Sequence, residues 1–352
     1  MQQQDDEEPR RHPRGGPDGR GTEATALPDL GPLVARLEAA VVGQRPLLER
    51  MVIALLAGGH VLIEGVPGLA KTRAVRALAR ALDLPFRRIQ FTPDLLPADL
   101  TGTQVYHPQT GRFDVKHGPI VAGVLLADEI NRAPAKVQSA LLEAMQEGQV
   151  TIGDETIRLP DPFFVLATQN PIEQEGTYPL PEAQLDRFLM KLLVGYPGRE
   201  AELAMLDLPG VGVAEGAGGI GVGEAFPADP GPLLGPEEVR RLRAITGSIR
   251  VAPALKGYIV DLIRATRAPH EYGLDLGPLI ELGASPRATL ALVRSSQGHA
   301  LLSGRDYVTP FDVKSVARDV LRHRLLVSYE ADAEGLSPDD VLGRILDHIR
   351  VP

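Results

Sequence analysis

Lys71 and Thr72 close the string GVPGLAKT, in which Gly65, Val66, Pro67, Gly68, Leu69 and Ala70 precede them. Glycines at the first and fourth positions let the backbone bend until successive N–H groups point inward, which makes a cradle for an anion. A lysine at the end of such a cradle reaches β- and γ-phosphates, and the adjacent threonine offers a hydroxyl to Mg²⁺. A helix starting near Ala70 would add its positive end to the same field. The general phosphate-loop pattern has glycine where this chain has Ala70; a residue already helical tolerates a methyl there.

Five further positions suit work on a bound phosphate. Asp128 and Glu129 end an apolar run, where carboxylates are costly unless they serve a cation or a proton transfer. In a phosphate-loop enzyme the first acid holds Mg²⁺ and the second polarises the attacking water. Asn170 ends a later apolar run in ATQNP, and an uncharged amide there can orient water and sense a γ-phosphate. Arg187, in QLDRF, and Arg287, in GASPRA, carry the side chain suited to stabilising charge on a transferring phosphoryl group.

The surrounding pattern supplies elements to position these residues. Val61, Leu62 and Ile63 form an uninterrupted β-favouring run, as do residues 124–130 (VLLADEI), 163–167 and 191–194, while residues 86–91 read as another strand. Helical periodicity separates them, over residues 33–41, 47–56, 72–82 and 134–147, with Val42, Gly43 and Gln44 as a break placed beside the ligand and Arg187 on a helix before the last strand. Strands alternating with helices imply a parallel sheet covered on both faces, and its ligands gather at the C-terminal edge. Two hairpins interrupt the alternation: GTQVY with RFDVK across residues 107–111, and Val150 and Ile152 facing Ile157 and Leu159 across Gly153-Asp154. The stretch TPDLLPADLTG is too broken by proline for a regular element.

Residues 1–28 are charged, rich in Gly and Pro and without apolar period, so they read as a disordered tail. Residues 29–196 form the α/β core, and residues 197–352 an α-helical lid interrupted by a Gly/Pro-rich loop at 209–236. Within the lid, Ser285-Pro286, Thr309-Pro310 and Ser337-Pro338 each place a capping residue before a first-turn proline, and Arg287 falls in the first turn of one such helix.

Composition narrows the function classes. The net charge of -9, from 37 basic and 46 acidic residues, argues against a nucleic-acid-coating surface. The chain has no cysteine, hence no disulfide framework and no Cys-ligated zinc, and its eight histidines form no HExxH cluster. No apolar run approaches the roughly 18 residues of a membrane helix, and Arg10-Arg11 precedes polar residues instead of an apolar signal core, so the cytoplasm is the expected address.

Five motifs in order, GVPGLAKT, LLADEINRAP, ATQNP, PLPEAQLDRF and GASPRA, resemble the MoxR family of AAA+ ATPases over about residues 33–330, and the family shares the alanine at position 70. The resemblance implies ATP and Mg²⁺ as cofactors. It gives Val42 to Gln44 a contact with adenine, Lys71 and Thr72 the phosphates and Mg²⁺, Asp128 the metal, and Glu129 the water. Asn170 becomes the first sensor, Arg287 the second, and Arg187 a finger inserted into a neighbour's site. The two hairpins correspond to insertions facing the pore of a hexameric ring. Partners implied are client or adaptor proteins, among them proteins with von Willebrand factor A domains. The expectation is a ring-forming, Mg²⁺-dependent ATPase that remodels clients; a slow nucleotide-gated binding switch is the alternative, and a DNA translocase is disfavoured by the charge.

Overall fold

The computed structural model describes residues 27–66, 69, 71–171, 176–206 and 231–352. The expected tail therefore lies outside the described residues except for its last two positions, as do Pro67, Gly68 and Ala70 and most of the 209–236 loop.

The chain opens with α1 (Gly31–Ala40) and α2 (Arg45–Leu56), followed by β1 (Val61–Gly65), α3 (Lys71–Ala81) and β2 (Phe86–Gln90). A one-turn helix α4 (Pro97–Thr101) then leads into the hairpin β3 (Gly102–His107) and β4 (Arg112–His117). Next come β5 (Val124–Asp128), α5 (Ala135–Glu147), the hairpin β6 (Gln149–Ile152) and β7 (Glu155–Arg158), and β8 (Phe164–Gln169). The sheet closes with α6 (Glu182–Leu185), β9 (Met190–Val194) and α7 (Arg199–Leu206). The remainder is α8 (Pro236–Ser248), α9 (Pro253–Ala265), β10 (Ile280–Leu282), α10 (Pro286–Leu302), α11 (Pro310–Leu321), β11 (Leu326–Val327), α12 (Tyr329–Ala333) and α13 (Pro338–His348).

Five strands pair in the order β2-β5-β8-β1-β9, all parallel. Each central strand alternates its side chains between two cores. Val61, Ile63, Val124, Leu126, Phe164 and Leu166 join the core that holds α1, α2 and α3, and Leu62, Leu125, Ala127, Val165 and Ala167 face the core under α5. This is why the runs carry no polar residue: neither face meets water. The first core continues without a break into α8–α13 through Leu242, Ile259, Leu292, Val316 and Leu342. The expected α/β sheet with a C-terminal helical lid is the observed fold.

The three capping pairs act as anticipated. Ser285 accepts from the backbone N–H of Arg287, and Thr309 and Ser337 form capping boxes with Asp312 and Asp340.

Several local expectations change. The run at residues 124–130 stops being a strand at Asp128, because Glu129 adopts a left-handed conformation (φ 57) that turns the chain into a short 3₁₀ segment, Ile130–Arg132. Arg187 is not helical; α6 ends at Leu185 and Arg187 sits in the turn before β9. The proline-broken stretch contains α4, whose end is closed by the Asp99 side chain accepting from the Leu96 N–H at 2.8 Å. In the second hairpin Val150 pairs with Ile157, but Ile152 stands opposite Glu155, and Leu159 lies past the strand with its N–H on the Gly148 carbonyl. That register follows from a turn at Gly153 (φ 60) and Asp154 tight enough to make Ile152 and Glu155 neighbours. Residue 236 begins α8, so the lid loop ends one residue earlier than expected.

Candidate active site

Parallel pairing brings the strand ends to one edge. Gln90 lies beside Asp128, Glu64 beside Gln169, and Gly65 beside Val194. At that edge Gly65 has a second reason to be glycine: a Cβ there would stand 2.5 Å from the Val194 carbonyl oxygen. Close passage of β9 thus adds to the flexibility argument from sequence.

Lys71 opens α3 and reaches back across the loop, its Nζ donating to the Gly65 carbonyl at 2.6 Å. Burial pulls its pKa below the ordinary lysine value, while Asp128 and Glu129 act in the opposite sense. Leu69 is buried and Val66 packs on the first core. Thr72, in the first turn of α3, is half-buried.

The two acids are held apart by different partners. Asp128 accepts from the Thr168 hydroxyl at 2.5 Å through Oδ1, and from the Arg88 guanidinium at 2.6 Å through Oδ2. The same Thr168 oxygen accepts from the Glu129 backbone N–H at 2.9 Å, so one hydroxyl on β8 fixes the bend after β5. The left-handed turn carries the Glu129 side chain toward β2, where its Oε2 accepts from Gln90 Nε2 at 2.7 Å and from Arg132 at 3.0 Å. Sequence reading missed Arg88, Gln90 and Thr168. Only the parallel register, which pairs Gln90 with Asp128 and Arg88 with Leu126, brings the β2 pair within reach.

Asn170 follows β8 directly and is buried at the same edge. Gly43 (φ 78) lies so close to α7 that a Cβ would stand 2.4 Å from the Ala201 methyl, and Gln44 Nε2 donates to the Gly195 carbonyl at 3.4 Å. Gly195 follows Val194, the neighbour of Gly65, so the turn of Val42, Gly43 and Gln44 borders the loop.

The arginines form a second grouping. Arg187 is half-buried, and among the described residues its Nε lacks a hydrogen-bond partner. Arg287 is 60% exposed and approaches Asp186, the residue before Arg187, at 3.7 Å. The structure thus brings Lys71, Asp128, Glu129 and Asn170 to one sheet edge, and Arg187 and Arg287 to either side of Asp186.

Among the described residues no group of three or more His, Asp or Glu side chains could cage a metal. Mg²⁺ asks for no such cage: it takes one or two protein oxygens and fills the rest of its octahedron with phosphate and water. One carboxylate at Asp128 and one hydroxyl at Thr72 match that demand.

A model of the ATPase family associated with various cellular activities (AAA) matches residues 60–190, and an AAA lid domain model matches residues 276–345. Chaperone MoxR1 of Mycobacterium tuberculosis is 47% identical over 341 residues, 97% of this chain and 86% of its own length. Protein MoxR of Paracoccus denitrificans is 35% identical over 321 residues, 86% of this chain and 91% of its own. The chain belongs to the MoxR family of AAA+ ATPases. The crystal structure of a proposed ATPase from Cytophaga hutchinsonii superposes with a TM-score of 0.83 at 46% identity, covering 91% of this chain and 94% of that one. The MoxR-type resemblance expected from the motifs is therefore shown, and with it the chaperone-like AAA+ class. No helix among the described residues is long and apolar enough to cross a membrane.

Proposed function

We propose that this MoxR-type protein hydrolyses ATP with Mg²⁺, assembles into a ring, and couples turnover to the remodelling or maturation of a client protein. The observation that carries the reading is the meeting of Lys71, Asp128 and Glu129 at one sheet edge, close enough for the lysine to feel both acids. Bound Mg²⁺ would supply charge neutralisation between the β- and γ-phosphates, held by Thr72 and Asp128.

Each protein group has a separable task. Lys71 exchanges the Gly65 carbonyl for phosphate oxygens. Glu129 accepts the proton of the attacking water once it leaves Gln90 and Arg132. Asn170 orients that water, Arg287 reads the nucleotide as second sensor, and the turn of Val42, Gly43 and Gln44 bounds the base. Arg187 serves a neighbouring subunit, which is the reason for proposing a hexameric ring. The hairpin β3-β4 presents Tyr106 and Phe113, ring centroids 5.1 Å apart and both exposed, toward a client or adaptor such as a von Willebrand factor A domain protein.

The test is phosphate release by the purified protein with Mg²⁺, with EDTA, and with candidate clients added. Mg²⁺-dependent turnover that rises with a client is expected, and Lys71→Ala should abolish nucleotide binding. Nucleotide-dependent partner binding without any stimulation would favour a gated switch over a remodelling enzyme.

A further inference from the structure

The segment that carries Arg187 lies between sheet and lid: the Leu189 N–H donates to the His60 carbonyl beside β1 at 2.8 Å, and the other contacts come from the lid. Arg324, just past the end of α11, is almost wholly enclosed, its side chain 3% exposed. Its guanidinium donates to Asp186 Oδ1 at 2.7 Å and to the carbonyls of Asp186 (3.2 Å), Phe188 (2.7 Å), Leu189 (3.1 Å) and Val320. His323 Nε2 adds a second donor to the Phe188 carbonyl at 3.1 Å. The other oxygen of Asp186 meets the start of α10: Oδ2 accepts from the Ser285 hydroxyl at 3.0 Å, and Arg287 stands 3.7 Å away. Ser285 is the N-cap of α10, so one carboxylate spans the start of α10 and the end of α11.

A buried guanidinium is tolerated only when its charge and donors are matched, so the clamp on residues 186, 188 and 189 is tight. Arg187 lies inside that clamp and, among the described residues, has no partner at its own Nε. Arg287 is different. Its contact with Asp186 is long and solvent-exposed, the kind of pair that contributes little and exchanges readily.

We propose that Asp186 is a positioning residue that links the lid to Arg187. A shift of α10 and α11 is passed through Arg324, Asp186 and Ser285 to the finger, so the lid of one subunit sets hydrolysis in the next. This rests on the proposed reading that Arg187 acts in a neighbour's site. A misplacement near 1 Å costs on the order of 100-fold in rate, and that is the effect expected of a loosened clamp.

The experiment compares homogeneous and mixed assemblies. Asp186→Asn alone should lose about 100-fold in kcat, while its ATP affinity stays within about twofold, because Lys71 and Thr72 are untouched and the long, exposed Arg287 contact is a pair that contributes little. Mixed with Lys71→Ala subunits, which bind no nucleotide but carry an intact finger, it should regain turnover. A purely structural defect would leave its own site dead in the mixture, and absence of rescue overturns the proposal, as does wild-type kcat for Asp186→Asn alone. Arg187→Ala mixed with Lys71→Ala is the control that separates the two readings. Rescue there without rescue of Asp186→Asn defeats only the positioning role, whereas no rescue there defeats the finger reading and this proposal with it. Should Asp186→Asn not fold, Arg324→Lys serves: it keeps the charge but cannot reach the Phe188 and Leu189 carbonyls together, so the same loss and rescue are expected, and normal kcat refutes the link.

Discussion

Acidification should weaken this fold through His60, and the size of the effect can be worked out. His60 precedes β1 and is half-buried, its Nδ1 accepting from the Val165 backbone N–H at 3.1 Å and its Nε2 donating to the Met145 carbonyl at 3.3 Å. Only the neutral ring can do both, and burial, with a smaller push from Arg243, lowers its pKa from 6.5 to about 4. A base whose folded pKa is depressed stays neutral in the fold but takes a proton when unfolded. Its contribution is therefore complete above pH 6.5 and fades as pH falls toward 4. The loss is about 2 kcal/mol by pH 5, approaching about 3 kcal/mol below pH 4. For a chain of this size the first figure corresponds to a fall of about 3 °C in melting temperature. His323, enclosed against Phe188 and pushed down by burial and by Arg324, acts in the same direction. The assay is thermal unfolding of the wild type and His60→Gln across this pH range. Other groups titrate in both proteins and cancel in the difference. The variant should be less stable at neutral pH but lose about 2 kcal/mol less between pH 7.5 and 5. Parallel pH curves would refute the reasoning.

Other residues give equally definite expectations. Gly65→Ala places a methyl 2.5 Å from the Val194 carbonyl, so β1 and β9 must separate; about 1–3 kcal/mol should be lost in denaturant unfolding, and ATP affinity should fall with it. Arg88 occupies Asp128 Oδ2 from an exposed position, so Arg88→Ala should lower the Mg²⁺ concentration for half-maximal turnover by about two- to fivefold, the range of an exposed ion pair; an unchanged or raised requirement contradicts that view. Asp312 is fully buried between His299 at 2.5 Å and Arg305 at 2.5 Å and also caps α11 through Thr309, so Asp312→Ala should destabilise the lid by about 3–5 kcal/mol, read by unfolding or by proteolysis of the C-terminal helices.

The parts legible in sequence were those written in short-range patterns. Val61 to Ile63 and residues 124–127 read as strands because both faces are enclosed, and Ser285, Thr309 and Ser337 read as caps because the cap and proline are adjacent. What escaped depends on pairing between distant elements. The Glu129 turn is invisible in VLLADEI because the left-handed conformation is fixed by the Thr168 hydroxyl 39 residues away. Arg88 and Gln90 looked like the polar side of an ordinary edge strand, and became partners of the two acids only through the register of β2 on β5. Arg187 left its expected helix because Arg324 and His323 draw the carbonyls of the segment around it toward the lid.

The most direct test of the account is Glu129→Gln, measured for ATP binding and for phosphate release on one preparation. The amide keeps the shape and can still meet Gln90, but it cannot take a proton from water. Binding within about twofold of wild type, with turnover reduced on the order of 100-fold or more, is the predicted result. Wild-type turnover would contradict the assignment of Glu129, and with it the reading of this sheet edge as the site of hydrolysis.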